Sequence, residues 1–362
     1  MNRRQIIYLG LLFISFSLKA QFPDIPNSII QEAIRLNDSN ARTVSQLANW
    51  GTAHYKSPED QVAFFYSWIT QHIRYDKDSM YVLNCGDEVL RAERTIQRRS
   101  GVCSNFASLF SRLCMQAQIP SVVISGYTGT AKQPGNRDGH SWSAVKMLQR
   151  WWLFDPTWDC GFTDRPQFYA VTPEVFIQTH MPFDPLWQLL DPVLTHDDYR
   201  RGQFRGSYQN NLLEINRRVD AFLQLDSLHQ FQEIRLRMHA IGISHPLQQT
   251  WYQYIQMKWS IQAEQFDQLN YQKAVRLLNL VTDSLNQFIE LRNQNQLHSG
   301  SKKKWLGIFR HWEFQLVLVR ELAGLVGIWL PNEQYDTELL LQRQNALLKK
   351  LEEQSVYLHQ LQ

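Results

Sequence analysis

The first half of the chain contains two stretches whose apolar residues recur at three- and four-residue steps. The first follows Ser57-Pro58, which combine an N-cap with a proline at the first helical position, and it predicts a helix over about residues 58–73. The second predicts a helix that begins beside Cys103, with an apolar face made of Phe106, Leu109, Phe110, Leu113, Cys114 and Ala117. An apolar face on each helix indicates packing against a core.

Three stretches after Pro120 have the composition of β-strands. Residues 121–127 are rich in β-branched side chains, and residues 140–147 and 151–155 follow a glycine-rich polar loop. The few residues between the last two stretches fit a hairpin turn. With Leu148-Gln149 as that turn, Asp155 lies opposite Trp142, and His140 is its diagonal neighbour on the same face of the sheet.

From about residue 200 the pattern becomes helical throughout. Leucine, glutamine and aromatic residues form long apolar stripes over residues 271–291 and 340–358. Breaks near residues 242, 298 and 331 predict four or five helices in a bundle or hairpin array. The pattern as a whole predicts an α+β domain over residues 21–200, followed by an all-α domain over residues 201–362.

The first 20 residues have the pattern of a signal peptide. Arg3 and Arg4 precede an apolar run from Ile6 to Leu18, and Ala20 fits the cleavage position. The run is short for a membrane span, and no later segment qualifies as one. We therefore expect an exported protein, which is periplasmic, on the cell surface or secreted, with no transmembrane segment after signal removal.

Composition and charge exclude some classes of function. The chain is 44% hydrophobic and 20% charged, which is ordinary for a globular protein. Its net charge of +3 disappears with the signal, which holds 3 of the 37 basic residues and no acidic ones, leaving 34 of each sign. A neutral mature chain does not predict a nucleic-acid partner. Four cysteines do not make a disulfide framework, although one bridge between Cys85 and Cys160 fits the nearby glycines.

Three side chains have the positions that thiol catalysis requires. Cys103 is predicted at a helix N-terminus, which favours the thiolate form of a cysteine. His140 supplies a base and Asp155 a carboxylate that orients it. Taken alone, each residue also has an ordinary structural interpretation: Cys103 as a buried cysteine, His140 as a solvent-facing strand residue and Asp155 as part of a turn that ends a strand. Taken together, their positions, their order in the chain and the shared sheet face of His140 and Asp155 favour a catalytic triad.

The same residues carry a resemblance to a known family. The sequences GVCSNFASLFSRLC, GHSWSAVKM and WWLFDPTWDCGF resemble the Cys, His and Asp boxes of the transglutaminase-like superfamily. The segment FYAVTPEVFIQTHMPFDPLWQLL is similar to one that follows the Asp box in bacterial exported members. The resemblance covers about residues 55–195. It implies a papain-like fold, in which the helix with nucleophile Cys103 packs on an antiparallel sheet that carries the base His140 and the orienting Asp155.

The resemblance also bears on the oxyanion hole and on cofactors. The backbone N–H of Cys103 would need a second donor, for which Trp68, Tyr75 and Trp142 are the candidates. Asn105 replaces the glycine that members often have after the cysteine, so we expect a bulkier first turn that narrows access to the thiol. No acidic run of the calcium-loop type is found in the sequence, so neither a metal nor another cofactor is expected.

Two classes of function follow from these residues. In the first, an exported thiol enzyme attacks carboxamide or peptide bonds of a protein or peptide substrate through an acyl-enzyme. It is then a cysteine peptidase or amidase if water is the acceptor, and a protein transglutaminase if an amine is. In the second, a non-catalytic binding or scaffolding module keeps the fold, and the C-terminal helices bind a partner. The triad favours the enzyme; a Cys103 locked in a disulfide is a third, weaker interpretation.

Overall fold

The computed structural model of the chain describes residues 24–76, 87–129, 139–162, 165–204, 208 and 211–360. The predicted signal peptide and Cys85 lie outside these residues. The thiol of Cys160 hydrogen-bonds the backbone oxygen of Ile73 at 3.1 Å. The chain divides into two compact units, Met1–Asp220 with Arg237–Gln249, and Ala221–Leu236 with Thr250–Gln362.

Among the described residues of the first unit, five helices precede the main sheet: α1 (Asn27–Arg35), α2 (Val44–His54), α3 (Pro58–His72), α4 (Glu88–Arg98) and α5 (Cys103–Gln116). Helix α3 is the one predicted after Ser57, whose hydroxyl accepts a hydrogen bond from the backbone N–H of Asp60 at 3.1 Å. Residues 61–70 of α3 are all buried. A helix that is buried on every side belongs inside a core.

The main sheet has four antiparallel strands in the order β5–β4–β3–β6: β3 (Ser121–Thr128), β4 (Gly139–Met147), β5 (Arg150–Phe154) and β6 (His180–Pro182). Strands β1 (Arg74–Tyr75) and β2 (Ser100–Gly101) form a separate parallel pair. The three strands predicted from the sequence are β3, β4 and β5. Strand β6, which extends the sheet beyond β3, was not predicted.

The turn between β4 and β5 consists of the two residues predicted for it. Leu148 and Gln149 have φ values of 50° and 58°, in the left-handed region. Two such residues in succession make a type I′ turn, whose twist matches that of the strands beside it. Met147 therefore pairs with Arg150, which is the register predicted from the sequence.

This register decides where Asp155 lies. Ser143 pairs with Phe154, so the next pair along the hairpin brings Asp155 opposite Trp142. Asp155 lies one residue beyond the last paired residue of β5, and its backbone N–H donates to the backbone oxygen of Phe168 at 3.0 Å. The carboxylate therefore lies at the end of β5, on the face predicted for it.

Helix α5 packs across this sheet. The hydroxyl of Ser143 on β4 donates to the backbone oxygen of Ala107 on α5 at 3.2 Å. The apolar face predicted for α5 is buried, with Phe106, Leu109, Phe110, Leu113 and Cys114 all at 0% exposure. Burial raises the pKa of the Cys114 thiol, as suits a structural cysteine. The predicted arrangement of a cysteine-bearing helix on an antiparallel sheet is confirmed.

The remaining helices are α6 (Pro173–Phe176), α7 (His196–Arg200), α8 (Leu212–Leu223), α9 (Ser227–Ile241), α10 (Pro246–Asn293), α11 (Lys302–Leu325) and α12 (Thr337–Gln360). The predicted apolar stripes of α10 and α12 meet in one core with α11. The region after the sheet domain is therefore helical, as predicted. Within the described part of the chain, no helix is both long enough and apolar enough to cross a membrane.

Candidate active site

Helix α5 begins at Cys103, and Asn105 holds its first turn from inside the protein. The side-chain oxygen of Asn105 accepts the backbone N–H of Val102 at 3.0 Å, and its amide donates to the hydroxyl of Thr95 at 3.1 Å. Asn105 is fully buried, whereas Cys103 is partly exposed. The expectation that Asn105 narrows access to the thiol was wrong, because both polar groups of its side chain are engaged in the core. A Cβ at Gly101 would lie 2.5 Å from that of Asn105, so this position requires glycine.

His140 and Asp155 are in direct contact. Nε2 of His140 lies 2.7 Å from Oδ2 of Asp155, whose side chain is fully buried. The other carboxylate oxygen accepts the backbone N–H groups of Thr157 at 2.9 Å and Trp158 at 3.3 Å. The turn after β5 therefore fixes the carboxylate, and the carboxylate fixes the ring.

The third predicted residue, Cys103, lies close enough to the ring to influence it. Its thiol is one of the groups that raise the pKa of His140. Because Nε2 is engaged by Asp155, Nδ1 is the ring nitrogen that remains available to a thiol. Burial alone would lower the pKa of His140, but the carboxylate of Asp155 and the thiol of Cys103 outweigh it and raise that pKa to about 10. The site therefore favours the imidazolium form of His140.

A second histidine, which the sequence reasoning missed, reaches the same carboxylate. Nε2 of His180 lies 3.1 Å from Oδ2 of Asp155, and Nδ1 lies 2.7 Å from the hydroxyl of Thr179. The ring is fully buried, and this burial lowers its pKa to about 4. His180 is therefore neutral at pH 7. Its only sequence signal is its place among apolar residues of the segment that follows the Asp box.

The carboxylate of Asp155 is surrounded by donors. Burial by itself would raise its pKa, but the hydrogen bonds and charge of His140, and then the hydrogen bond of His180, hold that pKa far below its usual range. Two ring N–H groups converge on one oxygen and two backbone N–H groups on the other. A carboxylate with four such donors stays ionised even when it is buried.

The same three residues form a candidate metal-binding group. The donor atoms of His140, Asp155 and His180 lie within 4.8 Å of one another. Tetrahedral ligands at about 2.0–2.1 Å from zinc are about 3.4 Å apart. Here the two nitrogen–oxygen distances are 2.7 and 3.1 Å, which are hydrogen-bond lengths. The arrangement fits a carboxylate that accepts two ring protons better than it fits a metal centre.

The three oxyanion candidates lie in different surroundings. The backbone of Tyr75 pairs with Gly101, and its side chain is 41% exposed. The ring of Trp142 lies 6.1 Å from that of His140. Trp68 is buried within α3, and among the described residues neither its indole nitrogen nor that of Trp142 has a hydrogen-bond partner. The structure brings Tyr75 to the Cys103 side and Trp142 to the His140 side, without selecting a donor.

Another missed residue, Trp158, borders the histidines. Its ring lies 5.8 Å from that of His140 and 4.5 Å from that of His180, and its edge packs on Phe168. Trp158 remains 44% exposed. It therefore forms a solvent-facing aromatic surface on the His140 side of the site.

Comparison with known proteins shows which family part of the chain resembles. Residues 45–156 match the model of the transglutaminase-like superfamily. The kyphoscoliosis peptidases of Mus musculus and Homo sapiens are each 32% identical to the chain, over 178 and 180 residues respectively. These matches cover 43% of this chain and 26% of each relative, so the chain spans about a quarter of the relatives' length.

Two solved structures are also similar. The periplasmic domain of TgpA from Pseudomonas aeruginosa is 18% identical with a TM-score of 0.27, over 37% of this chain and 49% of that one. A putative cysteine protease from Cytophaga hutchinsonii is 24% identical with a TM-score of 0.24, over 37% and 43%. The family model covers the helix that begins at Cys103 and both strands that follow with His140 and Asp155. Residues 45–156, which carry all three of these residues, are therefore similar to the transglutaminase-like superfamily.

Proposed function

We propose that this chain is an exported thiol enzyme that cleaves or exchanges carboxamide bonds through an acyl-enzyme on Cys103. The observation that supports the proposal is the 2.7 Å hydrogen bond between His140 and the buried carboxylate of Asp155, together with the effect of the Cys103 thiol on the pKa of His140. The export part of the proposal is supported by the basic and apolar pattern of residues 3–18.

The reaction follows from the charges of the three groups. The thiolate of Cys103 attacks the carbonyl carbon, and the C=O electron pair moves onto the oxygen. The backbone N–H of Cys103 at the helix start, with a second donor among Trp68, Tyr75 and Trp142, would stabilise that oxyanion. The imidazolium of His140 then protonates the leaving amine as the C–N bond breaks, which leaves a thioester on Cys103.

The second half reaction regenerates the thiolate. His140, now neutral, takes a proton from water or from an amine, and this acceptor attacks the thioester carbon. The C–S bond breaks, and Cys103 leaves as a thiolate beside the imidazolium. Asp155 remains ionised throughout, because its four donors stabilise the anion. The relatives' description as peptidases supports water as the acceptor, and therefore favours a peptidase or amidase over a transglutaminase.

The test measures how fast each cysteine reacts with iodoacetamide at pH 6, by mass spectrometry of the labelled peptides. An unassisted thiol with a pKa of about 8.5 is only about 0.3% thiolate at that pH. We expect Cys103 to react at least about tenfold faster than the half-buried Cys160, and His140→Ala to abolish this difference. Equal rates for Cys103 and Cys160 in the wild-type protein would refute the proposal.

The position of Asn105 weakens the scaffolding alternative. A bulky side chain beside the thiol would favour a protein without turnover, but the side chain of Asn105 is buried in the core. The large helical region remains in its favour. A partner bound equally well by the wild type and by Cys103→Ala, together with slow labelling of Cys103, would favour the scaffold.

A further inference from the structure

We propose that His180 is a positioning residue of this site: as a neutral hydrogen-bond donor, it holds the Asp155 carboxylate so that His140 presents Nδ1 to Cys103. The inference rests on the proposed function. It adds a fourth side chain to the three that the sequence indicated, and it assigns that side chain a task none of the three performs.

The first argument is the convergence of two strands on one oxygen atom. His140 on β4 and Pro182 on β6 both pair with Gly126 of β3, and His180 pairs with Thr128 of the same strand. Strand β3 therefore separates the two histidines, yet both rings reach Oδ2 of Asp155, at 2.7 and 3.1 Å. Strand β6 is only three residues long, and it places His180 at this point.

The second argument concerns the protons. An ionised carboxylate can only accept, so Nε2 of His180 carries the proton that Asp155 receives. In a neutral ring Nδ1 must then accept, and the hydroxyl of Thr179 lies 2.7 Å away to donate to it. Both nitrogens are thus satisfied in a single tautomer, with Nε2–H directed at the carboxylate.

The third argument is that an uncharged His180 suits this positioning role. A positively charged ring at this position would repel the imidazolium of His140 and weaken the pair that His140 makes with the thiolate. Burial keeps His180 uncharged, so it stabilises the carboxylate without taking the place of His140 as its counter-ion. A hydrogen bond from a neutral ring also directs the oxygen, since such bonds depend on angle.

The fourth argument is that the ring cannot turn away. The ring of Phe176 stacks on His180 at 4.0 Å, with 28° between the planes. The ring of Trp142 lies edge-on to His180 at 5.2 Å, and the ring of Trp158 is tilted against it at 4.5 Å. These three aromatic rings fix the plane of the His180 ring and exclude water from the carboxylate of Asp155.

The test compares variants of His180 by the rate at which iodoacetamide labels Cys103 between pH 5 and 9. His180→Phe keeps an aromatic ring and removes both hydrogen bonds; His180→Gln restores an N–H donor at the end of the side chain. His196→Phe is the matched control, because His196 is also fully buried but bonds the hydroxyl of Tyr127, outside the site.

We expect His180→Phe to slow labelling at pH 6 by about tenfold or more, with a rate that now rises toward pH 8.5 as for an unassisted thiol. His180→Gln should recover to within about threefold of the wild type, and His196→Phe should leave the rate unchanged while lowering the melting temperature. A general loss of packing would lower the melting temperature without this dependence on the N–H donor or on pH.

Two outcomes separate this inference from the proposed function. Fast labelling of Cys103 in the wild type together with equally fast labelling in His180→Phe overturns the role of His180 and leaves the enzyme proposal intact. Slow labelling in the wild type refutes the enzyme proposal itself. If His180→Phe does not fold, Thr179→Val decides, since it removes the donor that fixes the tautomer. Its rate should fall at least about threefold, and an unchanged rate overturns the inference.

Discussion

Gly126 offers the sharpest test of how the sheet supports the site. A Cβ atom built at this position would lie 2.2 Å from the backbone oxygen of Met181 and 2.8 Å from Cα of Pro182. It would also lie 2.4 Å from the ring of Trp142. Two of these three neighbours are backbone atoms of β6, which cannot rotate aside as a flexible side chain can. Gly126→Ala should therefore separate β6 from β3.

The cost can be worked from these distances. Real Cβ atoms essentially never approach closer than 3.0 Å, so the Met181 carbonyl would have to retreat by at least 0.8 Å. That movement carries the adjacent His180 away from Asp155, whose hydrogen bond is already 3.1 Å long. Overpacking costs about 1–3 kcal/mol, and losing a hydrogen bond to a charged group adds about 1.5–3 kcal/mol. We expect a loss of about 3–5 kcal/mol in the free energy of unfolding.

Urea unfolding followed by tryptophan fluorescence measures this loss. Gly139→Ala is the matched control, because a Cβ there has one neighbour, the backbone oxygen of Gly126, at an ordinary 3.6 Å. It should change the free energy of unfolding by no more than about 1 kcal/mol in either direction. A loss below about 1 kcal/mol for Gly126→Ala would contradict the reasoning, and so would a loss matched by Gly139→Ala.

Three further predictions concern stability. His180 has a pKa of about 6.5 in the unfolded chain and of about 4 in the folded protein. The free energy of unfolding should therefore decrease by about 3 kcal/mol as the pH falls from 6.5 to 4. His196, whose pKa burial lowers to about 3, acts in the same direction; a melting temperature that stays constant from pH 7 to 4.5 would contradict this. Asn105→Ala should cost about 2–4 kcal/mol in urea unfolding, because it leaves two buried groups, the Val102 N–H and the Thr95 hydroxyl, without the amide. Asp184→Ala should cost about 2–3 kcal/mol by removing the buried bidentate pair with Arg237. Glu214→Ala, which breaks a solvent-exposed pair with Arg217, should leave the free energy of unfolding nearly unchanged.

The parts of the site that the sequence predicted are those set by local structure. The apolar stripe of α5 starts just after Cys103, so the helix start could be read from spacing alone. The facing of His140 and Asp155 followed from the parity of a two-residue turn, and the observed register agrees with it. Both signals lie within about 15 residues of sequence, where helix and hairpin rules apply directly.

Asn105 shows where local reasoning fails. Its residue type and position in the first turn suggested bulk beside the thiol. Its side chain instead turns toward Thr95, ten residues earlier and on the preceding helix. The direction of a side chain at a helix start depends on which partner the fold brings beneath it, and the spacing of apolar residues carries no information about that partner.

His180 shows the same limit of local reasoning over a longer stretch of sequence. It also concerns how the buried carboxylate of Asp155 stays ionised. A buried carboxylate would ordinarily take up a proton, because burial disfavours the charged form. His140 supplies one side-chain donor to Asp155 and the turn after β5 supplies two backbone donors. The remaining side-chain donor, His180, comes 25 residues later on a strand too short to show alternation. The proposed nucleophile and base can be predicted from their own neighbourhoods, but the position of His180 beside the Asp155 carboxylate depends on the edge of the sheet to which β6 pairs.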